Sequence, residues 1–197
     1  MQPYIKQHGV GDLQFKYFTP EAVSWYDPLK PYTKLEYDWV IDNVPLENQV
    51  VIDAGSHHGN YAVVFKGAYM IYCFEMVGDF AFYTQENLLL NGVEDFMVFP
   101  ERLDDFNTTK EFLSHKPDIY KVDIEGDEFR LLPVEIKQNP QVHTWIVEVH
   151  PWGGKPDDIA KLFDGYELLK VDREQMKVRP YTLGETWPTH ATLIARR

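Results

Sequence analysis

The chain has 197 residues, enough for one domain that buries roughly 70% of the surface its unfolded form exposes, and we expect residues 1–197 to fold as a single domain. The single cysteine, Cys73, excludes a disulfide framework, and a polar N-terminus with no apolar run near the roughly 18 residues of a membrane span favours a soluble protein of a reducing, cytoplasmic compartment. The net charge of −12, with basic residues scattered along the sequence, disfavours nucleic acid as a substrate.

Residues 1–48 make up an N-terminal segment that is rich in aromatic side chains and ends in a helix. The alternation of apolar residues from Leu13 to Tyr17 is typical of one strand face. The sequence from Thr33 to Glu36 resembles a capping box and predicts a helix that begins there and ends before Pro45. Two roles are open for the aromatics: they plug one end of the main core, or they form a substrate-binding cap. The aromatics concerned are Phe15, Tyr17, Phe18, Trp25, Tyr26 and Tyr32.

The core is predicted to span residues 49–197. Its first predicted strand runs into a tight turn. The apolar run from Val50 to Ile52 suits a strand covered on both faces, and Asp53, Ala54 and Gly55 follow it. Gly55 and Gly59 can adopt backbone angles that other residues avoid, and they let a ligand approach the main chain where the next helix begins. The glycine spacing is G-x-x-x-G, whereas dinucleotide-binding folds carry G-x-G-x-x-G, so binding of a pyrophosphate is disfavoured. The acid that precedes the turn, Asp53, suits a cationic ligand.

An acid at the end of the second predicted strand completes a nucleoside-binding pattern. The apolar run from Tyr69 to Phe74 ends in Glu75, which lies twenty residues beyond Gly55. In open α/β sheets an acid in this place faces the ligand crevice and can accept hydrogen bonds from both ribose hydroxyls. We therefore predict that this turn and this acid bind a nucleoside. The alternative is an ordinary strand followed by an ordinary tight turn.

Further apolar runs predict a mostly parallel α/β sheet with flanking helices. Asp79 can cap a helix that continues to Leu90 and stops at Asn91-Gly92, and Pro156 suits another helix start. A loop over residues 181–189 separates the last two strands. The predicted strands after Glu75 are Phe96 to Phe99, Ile119 to Ile124, Thr144 to Val149, Tyr166 to Val171 and Ala191 to Ala195.

A second group of charged residues lies near the ends of the fourth and fifth strands. Lys121, Asp123 and Glu125 alternate, so a period of two points all three to one side. Glu148 and His150 have the same phase on the fifth strand. Because the carboxyl ends of parallel strands line the ligand crevice, we expect these acids and the histidine to meet there. The alternative is structural: an internal ion pair of Lys121 with Asp123 or Glu148, and a His150 that only completes a strand end.

The motif order resembles the FkbM-type methyltransferase family over residues 50–151. The matching segments are VIDAGSHHG, FE, NLLLNG, RLDDF, DIYKVDIEGDE and IVEVH, and the family patterns are D-x-G-A-N-x-G, F-E-P, an Asn-rich helix end, L-D-D, K-x-D-x-E-G-x-E and E-x-H. The K-x-D-x-E-G-x-E run is the most specific part. The chain departs from the family at Ser56-His57-His58, at Met76 in place of proline, and in a short segment before Leu103.

This resemblance implies a Rossmann-like class I methyltransferase sheet with an antiparallel last strand, and S-adenosylmethionine as cofactor. By the resemblance Asp53 lies near the methionine moiety, the backbone of Gly55 and Ser56 near the ribose, and Glu75 on the ribose hydroxyls. Glu101 or Asp104 is a candidate for the adenine end. The implied cofactor-binding residues are Asp53, Ala54, Gly55, Ser56, Gly59, Glu75 and Met76.

The reaction that the resemblance implies is O-methylation of a small-molecule or carbohydrate-like acceptor. His150 is the candidate base because its ordinary pKa lies near neutrality, and Glu148 is a candidate to orient it. Asp123 and Glu125 would hold the acceptor or the cofactor's ammonium group, and Lys121 would lower the pKa of the acceptor hydroxyl. Positioning of the two reactants then supplies much of the rate.

Two other classes of function remain open. Asp123, Glu125, Glu148 and His150 offer oxygen and imidazole donors for a divalent cation, which would make the protein a metal-assisted transferase or hydrolase. The short segment after the third strand is also compatible with a domain that binds a nucleoside or a partner without chemistry.

Overall fold

The computed structural model describes residues 4–7, 13–17, 30–185, 187, 189 and 191–197. Strand β1 (Tyr4–Gln7) pairs antiparallel with β2 (Gln14–Tyr17). The backbone N–H of Gln14 donates to the side-chain oxygen of Asn91 at 2.8 Å, which ties β2 to the main body. Phe18, Trp25 and Tyr26 lie outside the described residues, so the two roles expected for the N-terminal aromatics stay predictions.

A twisted sheet is the centre of the described fold, and its strands are β3 (Val50–Ala54), β4 (Met70–Phe74), β5 (Phe96–Phe99), β6 (Ile119–Val122), β7 (Thr144–Val149), β8 (Glu167–Asp172), β9 (Lys177–Pro180) and β10 (Ala191–Arg196). Their spatial order is β5-β4-β3-β6-β7-β10-β8-β9. Strands β3 to β7 pair in parallel, whereas β10 is antiparallel to both β7 and β8. The predicted fold, a mostly parallel Rossmann-like sheet with an antiparallel last strand, is confirmed.

Helices cover both faces of this sheet, and they are α1 (Pro31–Asn43), α2 (Asn60–Val64), α3 (Gly78–Leu90), α4 (Glu128–Gln138) and α5 (Pro156–Ala160). One apolar cluster joins α1, α2 and α3 to the face that carries Val51 and Ile71. The other joins α4 and α5 to the face that carries Tyr120 and Trp145. Successive strands are added outward from β3 on one side and outward from β6 on the other, so the strand order reverses between these two parallel strands. In α/β sheets, ligands bind in the crevice at the carboxyl ends of the strands at such a reversal.

Several predicted boundaries are wrong, each for a local reason. Helix α1 begins at Pro31 after Lys30, so Thr33 lies inside its first turns and is not the cap. Helix α3 begins at Gly78, so Asp79 lies in its first turn and is not the cap. The negative charge of Asp79 still interacts favourably with the helix dipole there. Strand β6 ends at Val122 because the chain turns there.

Three of the strands and helices described above have no counterpart in the sequence prediction: strand β1, which lies in a segment with no strand predicted before Leu13, helix α4 and strand β9. Helix α4 was missed because Pro133 interrupts its pattern, although the helix continues through that residue. Strand β9 was missed because its four residues, KVRP, are half charged or proline. None of the helices in the described part of the chain is long and apolar enough to cross a lipid bilayer.

Candidate functional site

The turn after β3 is shaped by the absence of a side chain at Gly55. The N–H groups of Gly55 and Ser56 both donate to the carbonyl oxygen of Phe74, at 2.8 and 3.1 Å. Gly55 has φ +79°, and a Cβ built there would overlap the carbonyl oxygen of Asp123. Because the backbone of the loop after β6 packs directly on this turn, only glycine fits.

Residue 57 occupies the place where the middle glycine would lie in a G-x-G-x-G turn, between Gly55 and Gly59. His57 has φ +49°, in the left-handed region that favours glycine. Its N–H donates to Oε2 of Glu75 at 2.8 Å, and its carbonyl accepts the Thr84 hydroxyl at 2.8 Å. These two hydrogen bonds hold a strained backbone in place.

Helix α3 holds the rest of this turn. Thr84 lies 3.1 Å from the Ser56 hydroxyl, and Asn87 donates to the His58 carbonyl at 2.7 Å. A Cβ on Gly59 would lie 2.9 Å from the Cα of Thr84, so the helix and the turn are in close contact. The turn is therefore tightly packed, and Gly55, Ser56 and His57 line the cavities described below.

Glu75 lies directly beside this turn at the end of β4. Its two carboxylate oxygens accept the N–H groups of His57 and Val77, at 2.8 and 2.9 Å. Burial raises the pKa of Glu75, while these two N–H groups oppose the rise. A carboxylate has about four lone-pair positions, so two N–H donors leave room for two hydroxyl donors from a ligand.

Glu75 lines a cavity of about 270 Å³, which we call the Glu75 cavity. Its wall is partly apolar, with Met76, Phe80 and Leu103, and partly charged. The charged lining residues are Glu75, Glu101, Arg102, Asp123, Glu125 and Asp127. Asp104, the other candidate for the adenine end, accepts the N–H groups of Phe106 and Asn107 and is not among the lining residues.

A second cavity of about 520 Å³, the Tyr61 cavity, adjoins the first. Its lining residues are Lys30, Tyr32, Thr33, Glu36, Tyr37, Ser56, His57, His58, Asn60, Tyr61, Asp123, Glu125, Glu148, His150, Trp152 and Arg173. Three residues line both cavities: His57, Asp123 and Glu125. A ligand in one cavity can therefore meet a ligand in the other at these three side chains.

Asp123 is paired with a buried lysine. Lys121 is 1% exposed, its Nζ lies 3.5 Å from Oδ2 of Asp123, and it lies 4.6 Å from the centre of the Tyr61 ring. Burial works to raise the pKa of Asp123, but the charges of Lys121 and His150 hold that pKa below its ordinary value. Asp123 is thus an ionised carboxylate at neutral pH.

His150 is held by a carboxylate on α4. Oε1 of Glu128 lies 2.6 Å from the backbone nitrogen of His150 and 3.1 Å from its Nδ1, while Oε2 accepts the Gly126 N–H at 2.8 Å. Nε2 of His150 then lies 3.8 Å from Asp123 and 3.7 Å from Glu125. Burial works to lower the pKa of His150, but the hydrogen bond and the charge of Glu128 raise it above its ordinary value.

Two further acids, Glu36 and Glu148, also line the Tyr61 cavity. Glu36 accepts the hydroxyls of Tyr61 and Thr192. Glu148 lies 3.3 Å from Arg173, whose guanidinium lies 4.4 Å from the centre of the Tyr32 ring. Burial and the charges of Asp123 and Glu36 raise the pKa of Glu148 to about 8, so this side chain can donate a hydrogen bond at pH 7.

Asp53 lies behind the glycine turn, 1% exposed, in neither cavity. Neither of its carboxylate oxygens has a hydrogen-bond partner of ordinary geometry within the described residues. Burial raises the pKa of Asp53 to about 7, and the Lys121 ammonium and the N–H of Ala62 oppose the rise. A buried carboxylate in this state gains from any cation that approaches the turn.

The predicted site residues separate into those that line a cavity and those that lie behind one. Of the cofactor-binding set, Gly55, Glu75 and Met76 line the Glu75 cavity and Ser56 lines the Tyr61 cavity, while Asp53, Ala54 and Gly59 are buried behind the turn. Of the catalytic set, Asp123, Glu125, Glu148 and His150 line the Tyr61 cavity. Lys121 lies in neither lining set, because its ammonium lies over the Tyr61 ring and beside Asp123.

The structure also adds residues that the sequence did not single out. Glu128 is the last acid of the K-x-D-x-E-G-x-E run, and it makes the orienting contact to His150 that we expected from Glu148. That run is the sequence signal that points to Glu128. Glu36, Tyr61 and Arg173 come from distant parts of the chain, and no local pattern marks them.

Asp123, Glu125 and His150 each offer one donor atom, and the three atoms lie within 4.8 Å of one another. Oxygen and imidazole donors of this kind suit a divalent cation. Glu148, the fourth predicted ligand, is not in this group. The ammonium of Lys121 already provides a positive charge beside Asp123.

No family model matches the sequence, and no curated protein is significantly similar to it. Solved structures share its fold at low identity. A SAM-dependent methyltransferase from Agrobacterium tumefaciens is 14% identical with a TM-score of 0.67, covering 100% of this chain and 70% of its own. Magnesium protoporphyrin IX methyltransferase from Synechocystis PCC 6803, solved with bound SAM, is 15% identical with a TM-score of 0.56, covering 84% of this chain and 79% of its own.

The protein aTrm5, solved in complex with tRNALeu, is 14% identical with a TM-score of 0.59, and the match covers 98% of this chain. The present chain spans about half (51%) of the length of that protein. Together these likenesses show that the chain has the α/β fold of class I SAM-dependent methyltransferases.

Proposed function

We propose that this chain is an S-adenosylmethionine-dependent methyltransferase of the FkbM type, acting on a hydroxyl of a small-molecule or carbohydrate-like acceptor. The observation that carries this proposal is the junction of two cavities at His57, Asp123 and Glu125. Volumes of about 270 and 520 Å³ lie near or within the range of roughly 300–1,000 Å³ that small-molecule sites occupy.

The Glu75 cavity fits the adenosine part of the cofactor. The carboxylate of Glu75 would accept the ribose hydroxyls, and Met76 and Leu103 would contact the adenine faces. The carboxylate of Asp53 has no hydrogen-bond partner of ordinary geometry among the described residues. Asp53 would attract the cationic methionine end of the cofactor across the glycine turn. When bound, this cofactor supplies an electrophilic methyl group whose transfer leaves the bonding electron pair on sulfur.

The Tyr61 cavity would hold the acceptor. Its aromatic rings and carboxylates suit a ring that carries hydroxyl groups, and the carboxylates disfavour a polyanion. Asp123 would accept a hydrogen bond from the acceptor and orient it. Neutral His150 would take the hydroxyl proton at Nε2 while Glu128 holds Nδ1, so the proton leaves as the new oxygen–methyl bond forms.

The test is transfer of a labelled methyl group to a panel of sugars, phenols and other hydroxylated compounds, with tRNA and rRNA in parallel. We expect His150→Ala to abolish turnover and to leave cofactor affinity largely intact. Asp123→Asn should also abolish turnover, and it should weaken cofactor binding as well, because Asp123 lines both cavities. His115→Ala, at an exposed histidine outside both cavities, is the matched control. Methylation of RNA alone would contradict the proposed acceptor class, and unchanged activity would remove the altered residue from the mechanism.

A metal-assisted reaction is the second candidate, because the donor atoms of Asp123, Glu125 and His150 lie within 4.8 Å of one another. A cation there would bind the acceptor oxygen and replace the hydrogen bond that the acceptor hydroxyl would donate to Asp123. Activity measured after chelation separates the two candidates.

A further inference from the structure

Residue 57 combines an unusual side chain with an unusual backbone. The sequence has histidine where the FkbM pattern has asparagine, and φ is +49°. A left-handed conformation is strained for a residue with a Cβ. The hydrogen bonds to Glu75 and from Thr84 compensate for this strain and fix where the imidazole lies.

The imidazole lies at the passage between the two cavities. Its ring centre is 4.1 Å from that of Phe80, with the planes tilted by 34°, and this contact fixes the ring on one side. Asp123 and Glu125 are the other two residues that line both cavities. A group that lies where the two cavities adjoin is therefore close to an imidazole and two carboxylates.

The charge of this ring matters because a sulfonium is a cation. Burial lowers the pKa of His57 to about 4, against the opposing charge of Asp123, so the ring is neutral at pH 7. A neutral aromatic ring attracts a cation at its face, whereas an imidazolium would repel it. Glycine or asparagine at this position would offer no such ring.

We propose that His57 is a positioning residue for the sulfonium and its methyl group, which it holds against Asp123 and Glu125 at the passage between the cavities. This inference rests on the proposed function. It assigns the selectivity for the charged, methylated donor over its demethylated product to one side chain of the turn.

The test compares the affinities of S-adenosylmethionine and S-adenosylhomocysteine, which differ in the methyl group and the positive charge. His57→Gly removes the ring and suits the left-handed backbone, so the variant should fold. Met176→Gly is the matched control, because Met176 also has φ +49° and lies outside both cavities. His57→Asn tests whether a short polar side chain restores binding.

We expect His57→Gly to weaken S-adenosylmethionine binding about tenfold and S-adenosylhomocysteine binding less than about threefold, with an intermediate result for His57→Asn. Met176→Gly should change neither. An unchanged ratio of the two affinities in His57→Gly, including an equal loss of both, would overturn the inference while leaving the proposed function in place. A wild-type protein that binds neither ligand would instead refute the proposed function, and the inference with it.

Discussion

Glu128 holds His150 at two atoms: one carboxylate oxygen lies 2.6 Å from the backbone nitrogen of His150 and 3.1 Å from its Nδ1. Glu128 is fully buried, and its other oxygen accepts the N–H of Gly126. One acid on α4 thus connects the ends of β6 and β7 and directs Nε2 of His150 toward the Tyr61 cavity. In the proposed mechanism, this arrangement orients His150 as the base.

The first prediction concerns this pair and pH. The pKa of His150 is raised, so the neutral base forms only as pH rises through a value above about 6.5, and the rate of methyl transfer should increase through that value. Glu128→Gln removes the charge that raises this pKa. We expect the inflection of the pH–rate profile to move down and the maximal rate to fall by at least about tenfold. An unchanged profile in Glu128→Gln would show that Glu128 does not act on the base.

The second prediction concerns Asp53 and stability. The folded-state pKa of Asp53 is about 7, above the ordinary value near 3.9. The protonated acid therefore stabilises the fold fully below pH ~3.9, and this contribution is lost as pH rises through about 7. Asp53→Asn should gain stability relative to wild type between pH 5 and pH 8, while it weakens binding of the cofactor's cationic end.

Denaturant unfolding of wild type and Asp53→Asn at several pH values checks this prediction. Asp95→Asn, at an exposed position, is the control and should show a nearly constant difference. A stability difference for Asp53→Asn that does not change with pH would mean that Asp53 is ionised throughout.

The third prediction separates backbone strain from steric overlap in the glycine turn. Gly55 and Gly165 both have φ +79°, but a Cβ at Gly165 meets nothing within 4 Å. Gly165→Ala should therefore cost roughly 1–2 kcal/mol of unfolding free energy. Gly55→Ala should cost at least about 2 kcal/mol more, because its Cβ would overlap the carbonyl oxygen of Asp123. Equal losses, measured by denaturant unfolding, would contradict the tight packing of this turn.

The fourth prediction concerns metal ions. Lys121 supplies a positive charge 3.5 Å from Asp123, and Glu128 favours the charged form of His150. We therefore expect methyl transfer to survive treatment with a chelator and exchange into metal-free buffer. Loss of activity that Mg²⁺ or Mn²⁺ restores would favour the metal-assisted alternative.

Much of the fold was predictable because the central strands are short apolar runs. The bounds of β5 and β7 match the prediction, and the rule that ligands bind at carboxyl ends of parallel strands brought Glu75, Asp123 and His150 to one edge. The period of two failed after Val122, because the strand ends there and Glu125 takes a φ of +56°. A strand pattern cannot show where a strand stops.

The rest of the site depends on contacts between residues that are far apart in sequence. Glu36 on α1 meets the hydroxyl of Thr192 on β10, and Arg173 packs on Tyr32. Such pairs follow from how helices lie across the sheet, which the local sequence does not encode in any readable pattern. The left-handed conformation of His57 was hidden for the same reason, because the hydrogen bonds that hold it come from Glu75 and Thr84.

The decisive measurement is calorimetric titration of the purified protein with S-adenosylmethionine and S-adenosylhomocysteine, repeated on Glu75→Gln and Asp53→Asn. Glu94→Gln, at an exposed position outside both cavities, is the control. We predict dissociation constants on the order of micromolar for the wild type and the control, and a loss of about tenfold or more in each of the other two variants. Failure of the intact protein to bind either ligand would contradict the methyltransferase proposal and turn attention to Asp123, Glu125 and His150 as a metal site.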